Sequence, residues 1–206
     1  PNPHDPQSLL AFVQAHRQKA KPMRFSVFCF PEAVAAEQNS LDFYQNLAEH
    51  ADALGLYGMW IPERHFDSMG GAFSAPAVVA GALVAQTQHI QVGAGSVVLT
   101  LHNPIVVAEQ WATLDCLSKG RVRISVASGW HPNDFILNPD NYSSRKSSLF
   151  EKLKILKHCW EEGYYEGING EGQMRSVSLY PRPIQKKCPL WVTVADDIEI
   201  FTQAGR

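Results

Sequence analysis

The feature that most constrains this chain is a rhythm in which a short apolar run is followed by an amphipathic stretch, at nearly constant spacing. Met23–Phe30, Gly58–Pro62, Ile90–Leu99, Arg121–Ser128 and Leu190–Ala195 are rich in β-branched and aromatic residues and read as strands. The first four start roughly 30 residues apart, the length of one βαβ unit. Helical patterns fill the gaps. Ser40 is placed to cap a helix carrying Leu41, Tyr44, Leu47, Ala48, Ala51 and Leu54, with Gly55 to end it. Ser74 and Pro76 mark the second helix, and Asn103-Pro104 opens a third that stops at Ser118-Lys119-Gly120. Ser143 or Ser144 opens the fourth, which carries Leu149, Leu153, Leu156 and Trp160.

Strict alternation of strand and helix calls for a parallel sheet. An open doubly wound sheet is the competitor, and its first βα turn should carry a glycine-rich phosphate loop. Here that turn reads Phe30-Pro31-Glu32-Ala33, without a glycine. The expectation is therefore an α/β fold of the (β/α)8 TIM-barrel type, incomplete, comprising the first five βα units. Residues 1–22 form an N-terminal linker with a short helix, Ser8 to about Lys19, between Pro6 and Pro22. Residues 23–206 form the barrel domain, ending within the fifth helix. An insertion at about 161–189 is glycine-rich, with a hairpin expected around Arg175–Pro183. A sheet of five strands has two open edges, so a homo-oligomer is expected.

Composition removes several function classes. The net charge of -2 gives no footprint for nucleic acid or an anionic membrane. No run reaches the roughly 18 to 20 apolar residues of a membrane helix, and no basic-then-apolar leader stands at the N-terminus. Cys29, Cys116, Cys159 and Cys188 are widely spaced and fit reduced thiols in a cytoplasmic protein.

In barrels of this type, chemistry gathers at the carboxyl ends of the strands. Those ends bring Phe30-Pro31-Glu32, Glu63-Arg64-His65-Phe66, Ser96 and His102, Ser128-Gly129-Trp130-His131 and Ala195-Asp196-Asp197 to one rim. Glu63, His65, His102 and His131 form a possible metal set, but no H-x-H pair lies on the first strand and the spacing is loose. No metal is expected.

Three segments carry a resemblance: Ile61–Phe66 (IPERHF), Val92–Val122, and Ser128–Phe135 (SGWHPNDF). Over about Met23 to Arg206 the chain resembles the luciferase-like, FMN-dependent monooxygenases, and among them the type associated with nonribosomal peptide and polyketide synthases. The resemblance implies oxygenation by O2 and reduced FMN, which a separate flavin reductase supplies. It also implies a small-molecule substrate in secondary-metabolite biosynthesis, one that a carrier protein or synthase module can present. His65 matches the family's catalytic histidine, and Glu63 shares its face of an extended segment. Ala94, Gly95 and Ser96 would admit the flavin ring close to the backbone, with a non-proline cis peptide near Gly95–Ser96. Ser128, Gly129, Ala195 and Asp196 match positions near the flavin tail. Phe28, Phe30, Trp60, Phe66 and Trp130 would line a mouth closed to water. Ser128 replaces an arginine of the luciferases, and Asp196-Asp197 would repel a phosphate there unless turned away. Two alternatives remain open here: a shortened, non-catalytic relative that binds flavin or a partner, and a related barrel using the deazaflavin F420.

Overall fold

The computed structural model describes residues 23–30, 37–69, 71–195 and 197–205. The expected helix within residues 1–22, the turn from Pro31 and residue Asp196 lie outside them. In chain order the elements are β1 (Ser26–Phe28), α1 (Glu37–Ala53), β2 (Gly58–Ile61), α2 (Pro76–Gln86), β3 (Gln91–Val98), α3 (Pro104–Ser118) and β4 (Val122–Ala127). There follow α4 (Arg145–Glu162), β5 (Tyr164–Ile168), β6 (Met174–Ser178), β7 (Leu190–Val192) and α5 (Ile198–Ala204).

Five strands form one parallel sheet in the order β1-β2-β3-β4-β7. Sequential order with a helix in each crossover is the barrel progression, so the expected fold class stands; among the described residues the sheet is open, with β1 and β7 at its edges. The hairpin exists, but it lies earlier than expected. β5 pairs antiparallel with β6, and the turn is built on Asn169, whose side chain accepts from the Glu171 and Gln173 amides. The Tyr180–Pro183 stretch, with a cis Tyr180–Pro181 bond, is its exit.

The core lies between the outer face of the sheet and the helices. Met59, Ile61, Val92, Ile124 and Val126 meet Tyr44, Leu83, Trp111, Leu149 and Trp160, all buried. Each such side chain contributes about 1.5–3 kcal/mol on burial. Strand alternation then sends the intervening residues to the concave face, as with Trp60 between Met59 and Ile61.

The helix signals fix most boundaries. The Asn103 side chain accepts from the Ile105 amide and Pro104 takes the first helical position, while Lys119 (φ 58) and Gly120 (φ 85) end α3. Gly55 (φ 71) lies just beyond α1. Ser40 is a correction. It lies inside α1, which already includes Glu37, and is buried there instead of capping. Packing of the Tyr44–Ala48–Ala51 face extends this helix past the apparent start.

Candidate active site at the carboxyl rim

Beyond the end of β2 the chain places Glu63, Arg64 and His65 on alternating sides. Glu63 has no side-chain exposure and lies under the loop that follows β3. Its Oε1 accepts from His65 Nε2 at 2.9 Å and from His102 Nε2 at 2.5 Å, and its Oε2 accepts from the Val98 amide at 2.7 Å. Burial pushes the carboxyl up, but the donors, His102 foremost, outweigh it and hold Glu63 below the usual glutamate range. The expected sharing of a face by Glu63 and His65 is realised. His102 joins them because Lys152, buried enough to lower its own pKa, donates to the carbonyls of Thr100 and His102 and fixes the loop.

Three of the four residues weighed as a metal set, Glu63, His65 and His102, thus present donor atoms within 4.8 Å of one another. His131 does not join them. It stands beside Asp134, 3.9 Å away, with Nδ1 buried and unpartnered among the described residues. Glu63 and His102 border a groove of about 290 Å³ between the starts of α2 and α3, on the helical side of the sheet.

Arg64 turns the other way. Its Nη1 donates to both carboxylate oxygens of Asp134 at 2.9 Å, Nη2 donates to Asp67 at 2.7 Å, and the guanidinium lies 5.2 Å from the Trp130 ring centre. The pair is buried and joins the loop after β2 to the loop after β4. Phe66, next in the chain, takes φ 54, a left-handed conformation uncommon for an aromatic residue.

On the concave face a second cavity of about 290 Å³ is lined by Phe28, Trp60, Gly95, Ser125, Trp191, Val192 and Thr193. Trp60 and Trp191 meet edge to face at 5.9 Å. A side chain on Gly95 would place its Cβ 2.9 Å from Trp60 and 3.2 Å from Phe28, so the missing side chain makes room for these rings. β3 is irregular here: its register with β4 shifts between Ala94 and Val97, and the expected cis peptide lies at Gly95–Ser96. The shift swings Ser96 inward, where its hydroxyl meets Ser125 at 3.0 Å and Thr193 at 2.5 Å, and those two are 2.8 Å apart. Ala94 faces the opposite way, into the core.

Farther along the rim, the Ser128 carbonyl accepts from Thr100 and Gly129 takes φ 74, with Val98 and Phe135 against it. Ala195 is exposed. Asp197 accepts from the Ile200 amide at the start of α5 and pairs with Lys146 at 2.5 Å. Its charge is therefore matched, and its carboxylate is turned to α4. Of the residues expected to line a mouth closed to water, Phe28, Phe30, Phe66 and Trp130 are all exposed.

Sequence reasoning missed Asp134, Lys152, Ser125 and Thr193. Alternation carried a signal for the last two: Trp191 and Thr193 share a face, as do Arg123 and Ser125.

A profile described as luciferase-like monooxygenase matches residues 23–206. The oxygenase component of a flavin-dependent trigonelline monooxygenase from Acinetobacter baylyi is 31% identical over 182 residues, covering 84% of this chain and 49% of that protein. An F420-dependent glucose-6-phosphate dehydrogenase from Kineococcus radiotolerans is 30% identical over 183 residues, covering 84% and 52%. The chain thus spans about half the length of the curated relatives it matches. Among solved structures, a monooxygenase from Streptomyces bottropensis superposes with a TM-score of 0.74 at 23% identity, covering 82% of this chain and 53% of that one. The oxygenating constituent of 3,6-diketocamphane monooxygenase from Pseudomonas putida, in complex with FMN, gives 0.70 at 16%, covering 84% and 51%. These two likenesses speak for the fold.

Proposed function

We propose a function from one premise: the chain belongs to the luciferase-like monooxygenase family. The reading is a flavin-dependent monooxygenase that uses reduced FMN and O2 on a small molecule in secondary-metabolite biosynthesis. A separate flavin reductase supplies the cofactor, by analogy with the trigonelline relative, which is the oxygenase component of its monooxygenase. A carrier protein or synthase module presents the substrate, and the protein works as a homo-oligomer.

The observation that carries this reading is the concave cavity, with ring walls from Phe28, Trp60 and Trp191 and a polar floor of Ser125 and Thr193. Flat aromatic walls with a few fixed hydroxyls suit a ring that is apolar on its faces and polar along one edge. Bound there, FMN would supply the electrons that activate O2. The chain's own residues do the rest. Gly95 and Ser96 would hold the ring, Ser128 and Gly129 would border its tail, and the exposed rim aromatics would exclude water once covered. Asp197, already paired with Lys146, leaves the tail region without a free negative charge at that residue. His65, held by Glu63, moves the proton.

Because an F420-dependent protein is among the relatives, the test compares cofactors. The protein is titrated anaerobically with reduced FMN and reduced F420, followed by fluorescence. Binding of FMN and O2-dependent oxygenation of a substrate support the reading. Tight F420 binding with no response to FMN overturns it.

A further inference from the structure

Glu63 is buried with three nitrogens around its two oxygens, the setting of a carboxylate, which only accepts hydrogen bonds. One of its oxygens faces two imidazoles, each through Nε2. Both Nε2 atoms must therefore carry hydrogen, which leaves Nδ1 as the basic atom of each ring. The other oxygen is taken by a backbone amide that cannot move, Val98 N–H, so the carboxylate is not free to rotate away. We infer that Glu63 is a positioning residue that fixes His65 and His102 in the same tautomer, and that His102 is a second proton-handling histidine of this site.

The two rings differ in access. The His65 side chain is 10% exposed and that of His102 is 32% exposed, and His102 borders the groove between α2 and α3. One carboxylate thus stabilises a proton on either ring, the sheltered one or the open one. A metal is the competing explanation for such a cluster, yet the three hydrogen bonds already satisfy the carboxylate, and its 2.5 Å contact to His102 is shorter than the separation of two donors around one ion.

The test is a two-bond proton–nitrogen correlation spectrum of the full chain labelled in histidine. The two ring signals are assigned with the His65→Gln and His102→Gln variants. With both rings neutral, each shows the Nε2–H pattern. In Glu63→Gln the amide oxygen must serve the Val98 N–H, so its NH2 faces the rings and drives at least one to Nδ1–H. In the monooxygenase assay, kcat falls on the order of tenfold or more, while the flavin affinity stays within twofold. The tautomers stand on geometry alone. Only the kcat arm and the proton-handling role of His102 rest on the proposed function, so wild-type Nε2–H rings in a protein without oxygenase activity would sink that function and that role and leave the positioning by Glu63 standing. An Nδ1–H pattern in either wild-type ring overturns the inference, and it does so even if Glu63→Gln does not fold. So does an unchanged spectrum in a folded Glu63→Gln, or stoichiometric Zn(II) binding that removes both Nε2–H signals.

Discussion

The two ends of the parallel sheet are built from the same kinds of residue and use them differently. At the amino end, Arg121 donates to the carbonyls of Val84, Thr87, Ile90 and Ser118 and to the Thr87 hydroxyl. Asp52 accepts from three successive amides, Gln88, His89 and Ile90, between 2.6 and 2.8 Å. Nearly every bond runs from a side chain to fixed backbone. At the carboxyl end, beside bonds to backbone such as those of Lys152, a set runs from side chain to side chain: Glu63 with two histidines, Arg64 with two aspartates, Ser96 with Ser125 and Thr193. That end also holds Phe66 at positive φ and buried nitrogens of Arg64 and His131 without partners among the described residues. One end is tied to the frame and the other is tied to itself. In a barrel this division is expected where the amino end serves stability and the carboxyl end serves chemistry.

The comparison breaks most sharply at Arg121. Arg121→Ala strands several carbonyls at once and is expected to cost about 3 kcal/mol or more of stability. Urea unfolding of the variant measures this, and flavin binding by the folded fraction should be unchanged. A loss under 1 kcal/mol would remove the contrast between the ends.

His65→Ala probes the other end. Turnover is expected to fall on the order of a hundredfold, with stability changed by less than about 1 kcal/mol. Steady-state kinetics beside an unfolding curve separates the two effects. Unchanged turnover would assign His65 to structure.

Asp52→Asn sharpens the comparison through pH. Burial pushes the Asp52 carboxyl up, but the three amides outweigh it and hold it below the usual aspartate range. A depressed carboxyl stabilises the fold above its unfolded pKa and loses that contribution as pH falls through its folded value. The variant is expected to lose about 1 kcal/mol at neutral pH and to show a flatter acid limb. Glu63, also depressed, gives the same sign, so Glu63→Gln should flatten that limb too. Stability curves between pH 3 and 7 test both, and a steeper limb in either variant would contradict the assignment.

The smallest effect is expected at Lys146. Its own side chain is largely exposed although Asp197 is mostly covered, so Lys146→Ala should cost no more than about 1 kcal/mol. FMN affinity should fall as Asp197 loses its matched charge. An unchanged titration would place the cofactor tail away from Asp197.

Much of the frame was legible because it follows from repetition. The βα rhythm, the Asn103-Pro104 start and the Lys119-Gly120 stop are local signals with local causes, and each is realised. The hairpin was misplaced because Tyr164–Ile168 contains a glycine and continues directly from a helix, so no apolar run announces it. At the rim, Glu63 and His65 could be paired because they lie two positions apart on an extended segment. The Arg64–Asp134 pair spans 70 positions and the Ser96–Thr193 contact 97, and no spacing rule reaches that far. His102 was visible as a rim histidine and as a member of the possible metal set, not as a hydrogen-bond partner of Glu63. Its place was set by Lys152, whose helical position carries no sign of the carbonyls it would bind.

The junction of α4 with the hairpin has a consequence of another kind. Gly163 (φ 82) ends α4 with its Cα against the Arg182 guanidinium, which donates to the carbonyls of Cys159, Trp160 and Glu161. The Leu179 amide returns to the Gly163 carbonyl at 2.9 Å. The excursion therefore leaves and re-enters the barrel through one fastened doorway. Beyond the doorway Tyr165 still packs against Ala108 and Cys159, whereas the Asn169–Gln173 turn lies past these contacts. Lengthening the Asn169–Gln173 turn costs only slowly growing loop entropy, so this hairpin is a natural port for grafting a foreign segment onto the fold. A side chain at Gly163 would displace the Arg182 clasp and open that port to the rest of the molecule.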